Sequence, residues 1–481
     1  MTTLCMALRV CAATSLLVLV PQTAIAQWPQ FRGPNGSGID TATGYPVKFS
    51  PTENVLWKVP VSSGQSSPVV VGERVYLTAS DAERLITICL DALSGRELWR
   101  REIKRSRKAD VYHANDPAAP SPAADENGVV VFFEDFGLAA YTPEGKDRWS
   151  LPLGPFKNFY GMAASPILAS GLLVLVCDQQ SGSFMIALDA KTGEKKWRAE
   201  RPTANIGWGT PMVFRPGGSA PAQLIVLGST RLDSYSLDKG EPLWWMPLAS
   251  EGAIGTVVAE GDTIFASTKG SAEPMLGTFE SMLEPHDKDK NKELSRQEFA
   301  TIEGWAEHFG WLDTDKNDSV TMEEWNVARN MGVGEYGAFA VRPGKAKGRL
   351  DEKAVVWRFK RNLPYIPTPL LYEGALYLVK DGGIITSLDP ATGTMVKQGR
   401  APEALGQYYA SPVAADEKVF LAGVDGNVTV LKAGASWEVL GVNKLGEPIR
   451  ATPALSGGRI YIRTEKSLFC FGAKPERKAT N

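Results

Sequence analysis

Two twelve-residue stretches near the middle of the chain, 287–298 and 313–324, carry oxygen-bearing side chains at regular intervals. Ca²⁺ binds six to eight oxygen atoms, and a loop of this length supplies them from positions 1, 3, 5, 7, 9 and 12. The predicted side-chain ligands at positions 1, 3, 5, 9 and 12 are Asp287, Asp289, Asn291, Ser295 and Glu298 in the first stretch, and Asp313, Asp315, Asn317, Thr321 and Glu324 in the second. Position 7 offers the backbone carbonyl of Glu293 or Ser319. The spacing therefore predicts two calcium sites.

Both stretches resemble the calcium loops of EF-hand proteins, and this resemblance implies a helix on each side of each loop. Phe299 follows the first loop and Trp325 lies beside the end of the second, at positions that suit the buried face of a helix. Leu294 and Val320 stand at position 8 of their loops, where a short strand pairs one loop with the other. An inserted helical calcium module is therefore predicted.

Position 6 of each loop departs from the EF-hand pattern, because Lys292 and Asp318 replace the usual glycine. A left-handed residue there costs about 1 kcal/mol or more for lysine and less for aspartate. Lys288 and Lys290 add further positive charge to the first loop. We therefore expect the second loop to bind calcium more tightly. In an exported protein, sites with dissociation constants of about 10⁻⁴–10⁻³ M still fill.

A repeating unit organises the rest of the chain. The unit opens on Ser/Thr-Pro, continues through an apolar run and a turn that contains glycine, and ends on tryptophan. Four copies are clear, at 67–99, 121–149, 165–197 and 210–245. A fifth opens at Gly255 and is interrupted by the calcium loops, and later copies open at Thr368, Ser411 and Thr452. The openings total eight, and Lys397 stands where the sixth copy would carry its tryptophan.

This unit predicts short strands that form a four-stranded sheet. Such a sheet cannot bury both of its faces alone, so it must stack on its neighbours, and the tryptophan supplies a large apolar surface for that contact. The last copy ends at Phe471 without its tryptophan strand, while an unassigned strand precedes the first copy and ends at Trp57. Pairing these two strands would close a ring and cover both edges. The predicted fold is mainly β, an eight-bladed β-propeller with a small all-α insertion.

The repeats resemble those of the pyrroloquinoline-quinone (PQQ) type, which occur in quinoprotein dehydrogenases and in BamB-like outer-membrane assembly proteins. The stretch from Trp28 to Gly36 also resembles the mature start of many secreted bacterial members. The resemblance covers nearly all of residues 28–472 outside the insertion. It implies the propeller fold and is a poor guide to function, because this fold carries out unrelated tasks.

The first 26 residues have the order of a cleavable secretory signal. Arg9 precedes an apolar run from Val10 to Val20, and an A-x-A sequence ends at Ala26. The run is too short to span a bilayer, and no cysteine follows the cleavage point as it would in a lipoprotein. We therefore predict an exported protein, periplasmic or extracellular and without a lipid anchor. The predicted domains are a signal peptide (1–26), a propeller (27–270 and 348–472), an EF-hand pair (271–347) and a polar tail (473–481).

Composition and cysteine usage narrow the function classes. The 481-residue chain has 52 Lys+Arg against 54 Asp+Glu, so it offers no overall field that would gather nucleic acid or an anionic membrane. Beyond residue 26, three cysteines remain, Cys89, Cys177 and Cys470. They are widely scattered, so buried thiols are predicted and a disulfide framework is excluded.

The loops that join each tryptophan strand to the next Ser/Thr-Pro must gather at one end of the ring, where they would form a mouth. The aromatic and polar residues on these loops are Gln65, His113, Asn158, Tyr160, Trp208, Tyr365, Tyr408, Tyr409 and Arg450. Side chains of this kind that converge on a funnel suit ligand binding, although packing around the channel accounts for them somewhat better. The partner predicted at the mouth is an envelope protein or a polysaccharide of unknown identity.

No catalytic residue is predicted. In PQQ-dependent dehydrogenases the quinone lies in the central funnel near Ca²⁺, often beside a disulfide between adjacent cysteines. This chain has no adjacent cysteines, and calcium held in a peripheral insertion could not polarise a quinone at the centre. Motifs of hydrolases and of phosphate-binding loops are also absent. We therefore predict a non-catalytic, calcium-binding scaffold in the cell envelope. A PQQ-dependent alcohol or sugar dehydrogenase is the first alternative, with PQQ not favoured, and a polysaccharide-binding module is the second.

Overall fold

The computed structural model describes residues 27–109, 115–217, 220–274, 276–314 and 316–473. The predicted signal peptide and nearly all of the predicted polar tail lie outside the described residues, and so do His113 and Asp315. No helix in the described part of the chain is long and apolar enough to cross a membrane.

Eight antiparallel sheets follow one another along the chain, and each provides one propeller blade. The strands of blades one to four are Val69–Val71, Arg74–Ser80, Arg84–Asp91 and Glu97–Lys104; Ala123–Asp125, Gly128–Phe133, Gly137–Tyr141 and Asp147–Pro152; Ile167–Ala169, Leu172–Cys177, Phe184–Asp189 and Lys195–Glu200; and Met212–Phe214, Gln223–Leu227, Arg231–Ser236 and Pro242–Pro247. The strands of blades five to eight are Val258–Glu260, Thr263–Thr268, Gly337–Val341 and Val355–Phe359; Leu370–Tyr372, Ala375–Lys380, Ile384–Leu388 and Met395–Arg400; Val413–Ala415, Lys418–Ala422, Asn427–Lys432 and Glu438–Lys444; and Ala454–Ser456, Arg459–Arg463, Ser467–Phe471 and Val55–Pro60. The eight-bladed propeller predicted from the repeats is therefore confirmed.

The last blade closes the ring with a strand from the start of the chain. Val55–Pro60 pairs antiparallel with Ser467–Phe471, and Trp57 lies opposite Cys470. Both sheet edges that would otherwise meet solvent at the seam are thereby paired. The unassigned strand ending at Trp57 has the role predicted for it.

The insertion in blade five is shorter than the sequence indicated. Gly337–Val341 was assigned to the insertion, but it pairs with Thr263–Thr268 as the third strand of the blade. The insertion therefore comprises residues 269–336. Within it lie the helices Phe279–His286, Arg296–Phe299, Phe309–Leu312 and Met322–Arg329, a 3₁₀ turn at Ala306–His308, and the strand pair Leu294–Ser295 and Ser319–Val320. Further 3₁₀ turns lie at Pro34–Gly36 and Glu352–Ala354, and Gly348–Arg349 adds a parallel strand to blade four.

Tryptophans on the outer strands hold neighbouring blades together. The Trp149 indole N–H of blade two donates to the Ala190 carbonyl of blade three at 3.2 Å. A Cβ on Gly193, in the same turn, would lie only 2.6 Å from the Trp149 ring. The indole therefore packs directly on the backbone of the glycine turn. The pairs that share this contact are Trp57 with Gly95, Trp99 with Gly145, Trp149 with Gly193, Trp197 with Gly240, and Trp357 with Gly393.

Blade six departs from this arrangement, as its sequence indicated. Lys397 occupies the tryptophan position, and its ammonium lies 4.5 Å from the centre of the Trp437 ring of blade seven. A cation over an indole face replaces the usual indole on a glycine turn. Blades six and seven therefore still pack against each other through an aromatic side chain, but here the side chain comes from blade seven.

The Ser/Thr of the repeat opening forms a continuous hydrogen-bonded ring around the central channel. At seven of the eight steps a backbone N–H donates to the hydroxyl of the neighbouring blade; for example, the Ser121 N–H donates to Ser165 Oγ at 2.9 Å. At the remaining step the Thr256 hydroxyl donates to the Thr210 carbonyl. The members are Ser67, Ser121, Ser165, Thr210, Thr256, Thr368, Ser411 and Thr452. Each hydroxyl satisfies a buried backbone group, which explains why every unit opens on this residue type.

The segment that precedes the first blade crosses one end of the channel. It accepts N–H groups from blades two, three and seven: Ala124 donates to the Pro29 carbonyl at 2.8 Å, Leu168 to Gln30 Oε1 at 3.2 Å, and Ala414 to the Gly38 carbonyl at 2.7 Å. Because these donors each lie three residues beyond a member of the hydroxyl ring, the segment lies at the end of the channel opposite the loops that enter the ring.

Candidate functional site

The first calcium loop brings its predicted carboxylate ligands together. Oxygens of Asp287, Asp289 and Glu298 lie within 4.8 Å of one another. Asp287 Oδ1 is buried and has no hydrogen-bond partner among the described residues, although a buried carboxylate oxygen is normally hydrogen-bonded. An unpartnered oxygen inside a group of three carboxylates suits a divalent cation, which binds oxygen ligands. The residues present therefore fit Ca²⁺.

The two loops share one hydrogen-bonding plan. The carboxylate at position 1 accepts the N–H of position 6, at 3.0 Å between Asp287 and Lys292 and at 3.2 Å between Asp313 and Asp318. The amide oxygen at position 5 accepts the N–H of position 7, at 2.8 Å in the first loop and 2.9 Å in the second. These bonds hold the side chains of positions 1 and 5 in the same orientation in both loops.

The glutamate at position 12 is fixed in the same way in both loops. Glu298 accepts the N–H groups of Ser295 at 3.0 Å and Lys288 at 2.7 Å. Glu324 accepts the N–H groups of Thr321 at 2.9 Å and Thr314 at 2.8 Å. In each loop the position 9 hydroxyl caps the helix that follows, so the ends of the loop are tied together. Asp315, the predicted ligand at position 3 of the second loop, lies outside the described residues.

Short strands join the two loops back to back. Leu294 pairs with Val320, as predicted from position 8, and Ser295 pairs with Ser319. Lys292 and Asp318 at position 6 have φ values of 68° and 64°, in the left-handed region that glycine normally occupies. The Arg296 guanidinium also lies 2.7 Å from the Asp318 carboxylate across the pair. The loops thus form one unit, with a core made of Phe279, Leu294, Phe299, Phe309, Leu312, Val320 and Trp325.

The insertion lies over the channel mouth, so the peripheral position expected from the sequence is wrong. Trp305, Trp311 and Arg329 of the insertion line the same cavity as the hydroxyl ring of the propeller. The Ser271 N–H donates to the Gly332 carbonyl at 2.8 Å, which holds the two ends of the insertion beside each other above blade five. The lining residues come from segments beside the calcium loops, while none of the described loop residues lines the cavity.

The cavity between the mouth and the insertion has a volume of about 490 Å³. Members of the hydroxyl ring and Phe31 of the N-terminal segment form its floor. Of the residues predicted at the mouth, Gln65, Tyr160, Trp208, Tyr365, Tyr409 and Arg450 line it. Asn158 and Tyr408 are instead buried in their own loops, where Tyr408 donates to the Ala404 carbonyl at 2.8 Å. His113 lies outside the described residues.

Sequence reasoning missed the part of the cavity that the insertion supplies, namely Leu276, Trp305, Trp311, Ala328, Arg329 and Met331. Trp305 and Trp311 are apolar residues near the second loop, and such residues suit a helix core as well as they suit a cavity wall. No local signal distinguishes the two positions, because only the docking of the insertion on the mouth turns these side chains toward the cavity.

Charges around the cavity are unevenly paired. Lys269 lies 2.7 Å from the Glu251 carboxylate and 5.0 Å from the centre of the Tyr365 ring. Burial raises the pKa of the Tyr365 phenol, and the nearby Glu251 carboxylate raises it further, so this hydroxyl stays protonated at neutral pH. The Arg450 Nε is buried and has no hydrogen-bond partner in the part of the chain that the structure describes. The cavity therefore carries an excess of positive charge.

The three cysteines of the described residues are free and buried, as predicted. Burial raises the pKa of the Cys89 and Cys470 thiols to about 12. A thiol with such a pKa is neither a nucleophile nor a metal ligand at neutral pH. These residues are therefore packing elements of the blades.

Eight four-stranded blades, with tryptophans on glycine turns and a ring of Ser/Thr hydroxyls, define the class of the protein as a PQQ-type β-propeller. A sequence profile of the family described as outer membrane protein assembly factor BamB matches residues 44–202, 91–280 and 287–480. Together these matches cover more than half of the chain, and the chain belongs to this family.

Individual relatives agree with this assignment. The chain is 26% identical over 389 residues to the outer membrane protein assembly factor BamB of Burkholderia pseudomallei (strain K96243), a match that covers 79% of this chain and 89% of that protein. The crystal structure of BamB from Moraxella catarrhalis has a TM-score of 0.54 at 12% identity, over 88% of this chain and 99% of that one. Quinohemoprotein alcohol dehydrogenase from Comamonas testosteroni has a TM-score of 0.55 at 12% identity, over 95% and 82%. At these identities the two structures show a shared fold.

Proposed function

We propose that this protein is an exported, calcium-binding β-propeller that serves as a non-catalytic scaffold for protein or ligand binding in the cell envelope. Membership of the BamB family supports an envelope role with protein partners, because the relative from Burkholderia pseudomallei is named as an outer-membrane assembly factor. The observation that carries the calcium proposal is the hydrogen-bonding plan repeated in both loops, together with the unpartnered Asp287 oxygen among three carboxylates.

Calcium would stabilise the insertion above the mouth. Carboxylates held within 4.8 Å of one another repel when no cation lies between them. Because the helices of the insertion carry Trp325 and Phe299 of its core next to these loops, a bound cation stabilises the same unit that covers the cavity. Calcium binding in the loops would in this way stabilise the part of the chain that covers the mouth.

Replacing Glu324 with glutamine should weaken calcium binding at the second loop by at least about tenfold. The substitution removes the charge and one of the two equivalent oxygens that position 12 supplies. Isothermal titration calorimetry of the purified protein measures the effect. The control is Glu323→Gln, since the exposed Glu323 is adjacent but has no predicted ligand role. Identical titrations of Glu324→Gln and the unsubstituted protein would contradict the proposed site.

Chelation of calcium should expose the insertion to protease and leave the propeller folded. Lys290 and Lys292 are exposed residues of the first loop, so trypsin can report on it directly. We expect cleavage at these lysines to accelerate at least about tenfold with chelator, because the loop opens when its cation is removed. Mass spectrometry of the fragments measures it, and cleavage at Lys239, on an exposed turn of blade four, is the internal control. Unchanged cleavage of the insertion would rule out calcium-dependent order.

The alternative of a PQQ-dependent dehydrogenase is supported by the fold shared with the alcohol dehydrogenase structure and by the aromatic walls of the cavity. The donor set fits a quinone with a central Ca²⁺ poorly. Among the described lining residues Glu251 is the single carboxylate, and it is paired with Lys269. Equilibrium dialysis against PQQ with calcium distinguishes the two functions. Stoichiometric binding at or below about 1 μM would favour the dehydrogenase, and no binding would favour the scaffold.

A further inference from the structure

The cavity under the insertion combines three kinds of surface that ligand sites use, namely flat apolar walls, a hydroxyl floor and an unpaired cation. Its volume of about 490 Å³ falls within the range of 300–1,000 Å³ that is typical of small-molecule sites. Two parts of the molecule, the mouth loops and the insertion, contribute to it. The nature of these surfaces indicates what class of ligand would fit.

The walls are aromatic and held in place. The Trp208 indole N–H donates to the Gly161 carbonyl at 2.7 Å, and its ring meets that of Tyr160 edge to face with centres 5.7 Å apart. Trp305 and Trp311 of the insertion and Tyr365 of blade six's entry loop add further ring surface. Fixed aromatic faces bind the apolar face of a flat or cyclic ligand without losing conformational freedom.

The floor is polar, which argues against a purely aromatic ligand. Ser67, Ser121 and Ser165 of the hydroxyl ring line the cavity. Each of these hydroxyls accepts a backbone N–H from its neighbour, so each still carries its own O–H. A row of hydroxyl donors matches a ligand that is itself rich in hydroxyl oxygens. A sugar offers these oxygens together with an apolar ring face for the walls.

The positive charge of Arg450 at the cavity favours an acidic ligand. Glu251 is neutralised by Lys269 at 2.7 Å, whereas the buried Arg450 Nε has no hydrogen-bond partner within the described ranges. Arg329 of the insertion donates from its Nε to the Leu276 carbonyl at 3.2 Å, which keeps a second guanidinium at the cavity wall. A carboxylate would satisfy Arg450 with charge-assisted hydrogen bonds, the strongest kind available in such a site.

We infer that this cavity is a binding site for a short acidic oligosaccharide, with Trp208 and Trp305 contacting the sugar rings and Arg450 binding the uronic-acid carboxylate. The inference deepens the ligand-binding part of the proposed function and rests on it. It does not depend on calcium coordination by any particular loop residue, so the two proposals can fail separately.

The test compares matched acidic and neutral disaccharides on the full-length protein with calcium present. Tryptophan fluorescence and titration calorimetry are followed with cellobiouronic acid, digalacturonic acid and the neutral disaccharide cellobiose. We expect at least one of the uronic disaccharides to bind about tenfold more tightly than cellobiose, a preference that high salt reduces. Arg450→Gln should abolish the preference, and Arg450→Lys should retain part of it because the charge remains.

The control is Arg215→Gln, because Arg215 is exposed and does not line the cavity. Equal affinity for acidic and neutral disaccharides would overturn the role of Arg450, and failure of both uronic probes to bind would overturn the site. Normal calcium titration in the same sample would show that the proposed calcium binding stands in either case. Displacement of a bound uronic probe by PQQ at or below about 1 μM would assign the cavity to the quinone instead. Should Arg450→Gln not fold, the comparison of the disaccharides on the unsubstituted protein still decides.

Discussion

Replacing Gly193 with alanine is expected to lower the free energy of unfolding by about 2–5 kcal/mol. Two independent penalties contribute. The φ of Gly193 is +75°, a left-handed conformation that costs an alanine about 1–2 kcal/mol. The new methyl group would also lie 2.6 Å from the Trp149 ring, and that ring is held by its hydrogen bond to Ala190. Overpacking of this kind adds about 1–3 kcal/mol.

The same blade supplies the matched control. Gly171 has a φ of +78°, but a Cβ there would meet no atom within 4 Å. Gly171→Ala should therefore show the conformational penalty alone. Urea unfolding of both variants, followed by tryptophan fluorescence at constant calcium, measures the difference. Equal losses for the two variants would mean that the contact between Trp149 and Gly193 does not hold blades two and three together.

The residues of this contact also show which parts of the fold can be predicted from the sequence. The repeat predicts that its glycine is a turn residue and that its tryptophan is a surface for stacking. Each assignment was correct separately, but the contact between Trp149 and Gly193 joins different repeats. The repeats still predicted eight blades, because each unit carries the whole local pattern of strands and turns. Ring closure by Trp57 followed from counting incomplete units.

The Ser/Thr-Pro openings are visible in the sequence, but the sequence alone does not reveal what their hydroxyl groups do. Ser/Thr-Pro marked where each unit opens, and the count of openings was correct. Its physical role, one hydroxyl for each neighbouring N–H, depends on eight blades meeting around one axis. The repeat shows that a serine or threonine recurs at each opening. The hydrogen bond that explains this recurrence forms only when neighbouring blades meet in the assembled ring.

The residues of a calcium loop are close together in the sequence, whereas the residues of the cavity are far apart. The oxygen donors from Asp287 to Glu298 lie within twelve residues, so their spacing alone predicts a shared centre. The cavity combines residues as distant in sequence as Phe31 and Arg450. Loop order placed Trp208 and Arg450 at one end of the ring, but nothing in the sequence indicated that the insertion would bring Trp305 over them. That docking depends on side-chain contacts between separate segments.

Glu134 is a functional group that no sequence pattern identified, since Glu134 and Asp135 look like an ordinary acidic turn. In the structure Glu134 is 3% exposed, and its Oε2 accepts the Met162 N–H at 2.9 Å. Burial raises the pKa of this carboxyl to about 7; the Met162 hydrogen bond and Arg107 oppose the shift, and Asp135 adds to it. Asp135 itself is paired with Arg105 at 2.6 Å.

Glu134→Gln is therefore expected to make the protein more stable than the unsubstituted chain above pH 7. The folded state favours the protonated carboxyl, so its contribution is complete below the unfolded pKa of about 4.5 and is lost as the pH rises through 7. The loss amounts to something on the order of 3 kcal/mol by pH 8. Glutamine has no proton to lose, and its amide oxygen can still accept the Met162 N–H.

Urea unfolding at pH 5, 6, 7 and 8 measures this prediction, with the exposed Glu126→Gln in the same blade as the control. The stability difference between Glu134→Gln and the unsubstituted protein should grow from pH 5 to pH 7 and level off toward pH 8, while Glu126→Gln should show no such trend. A pH-independent difference would mean that Glu134 is ionised in the folded state. Glu134 thus accepts the N–H of the residue next to Gly161, whose carbonyl accepts the Trp208 indole N–H at the wall of the cavity.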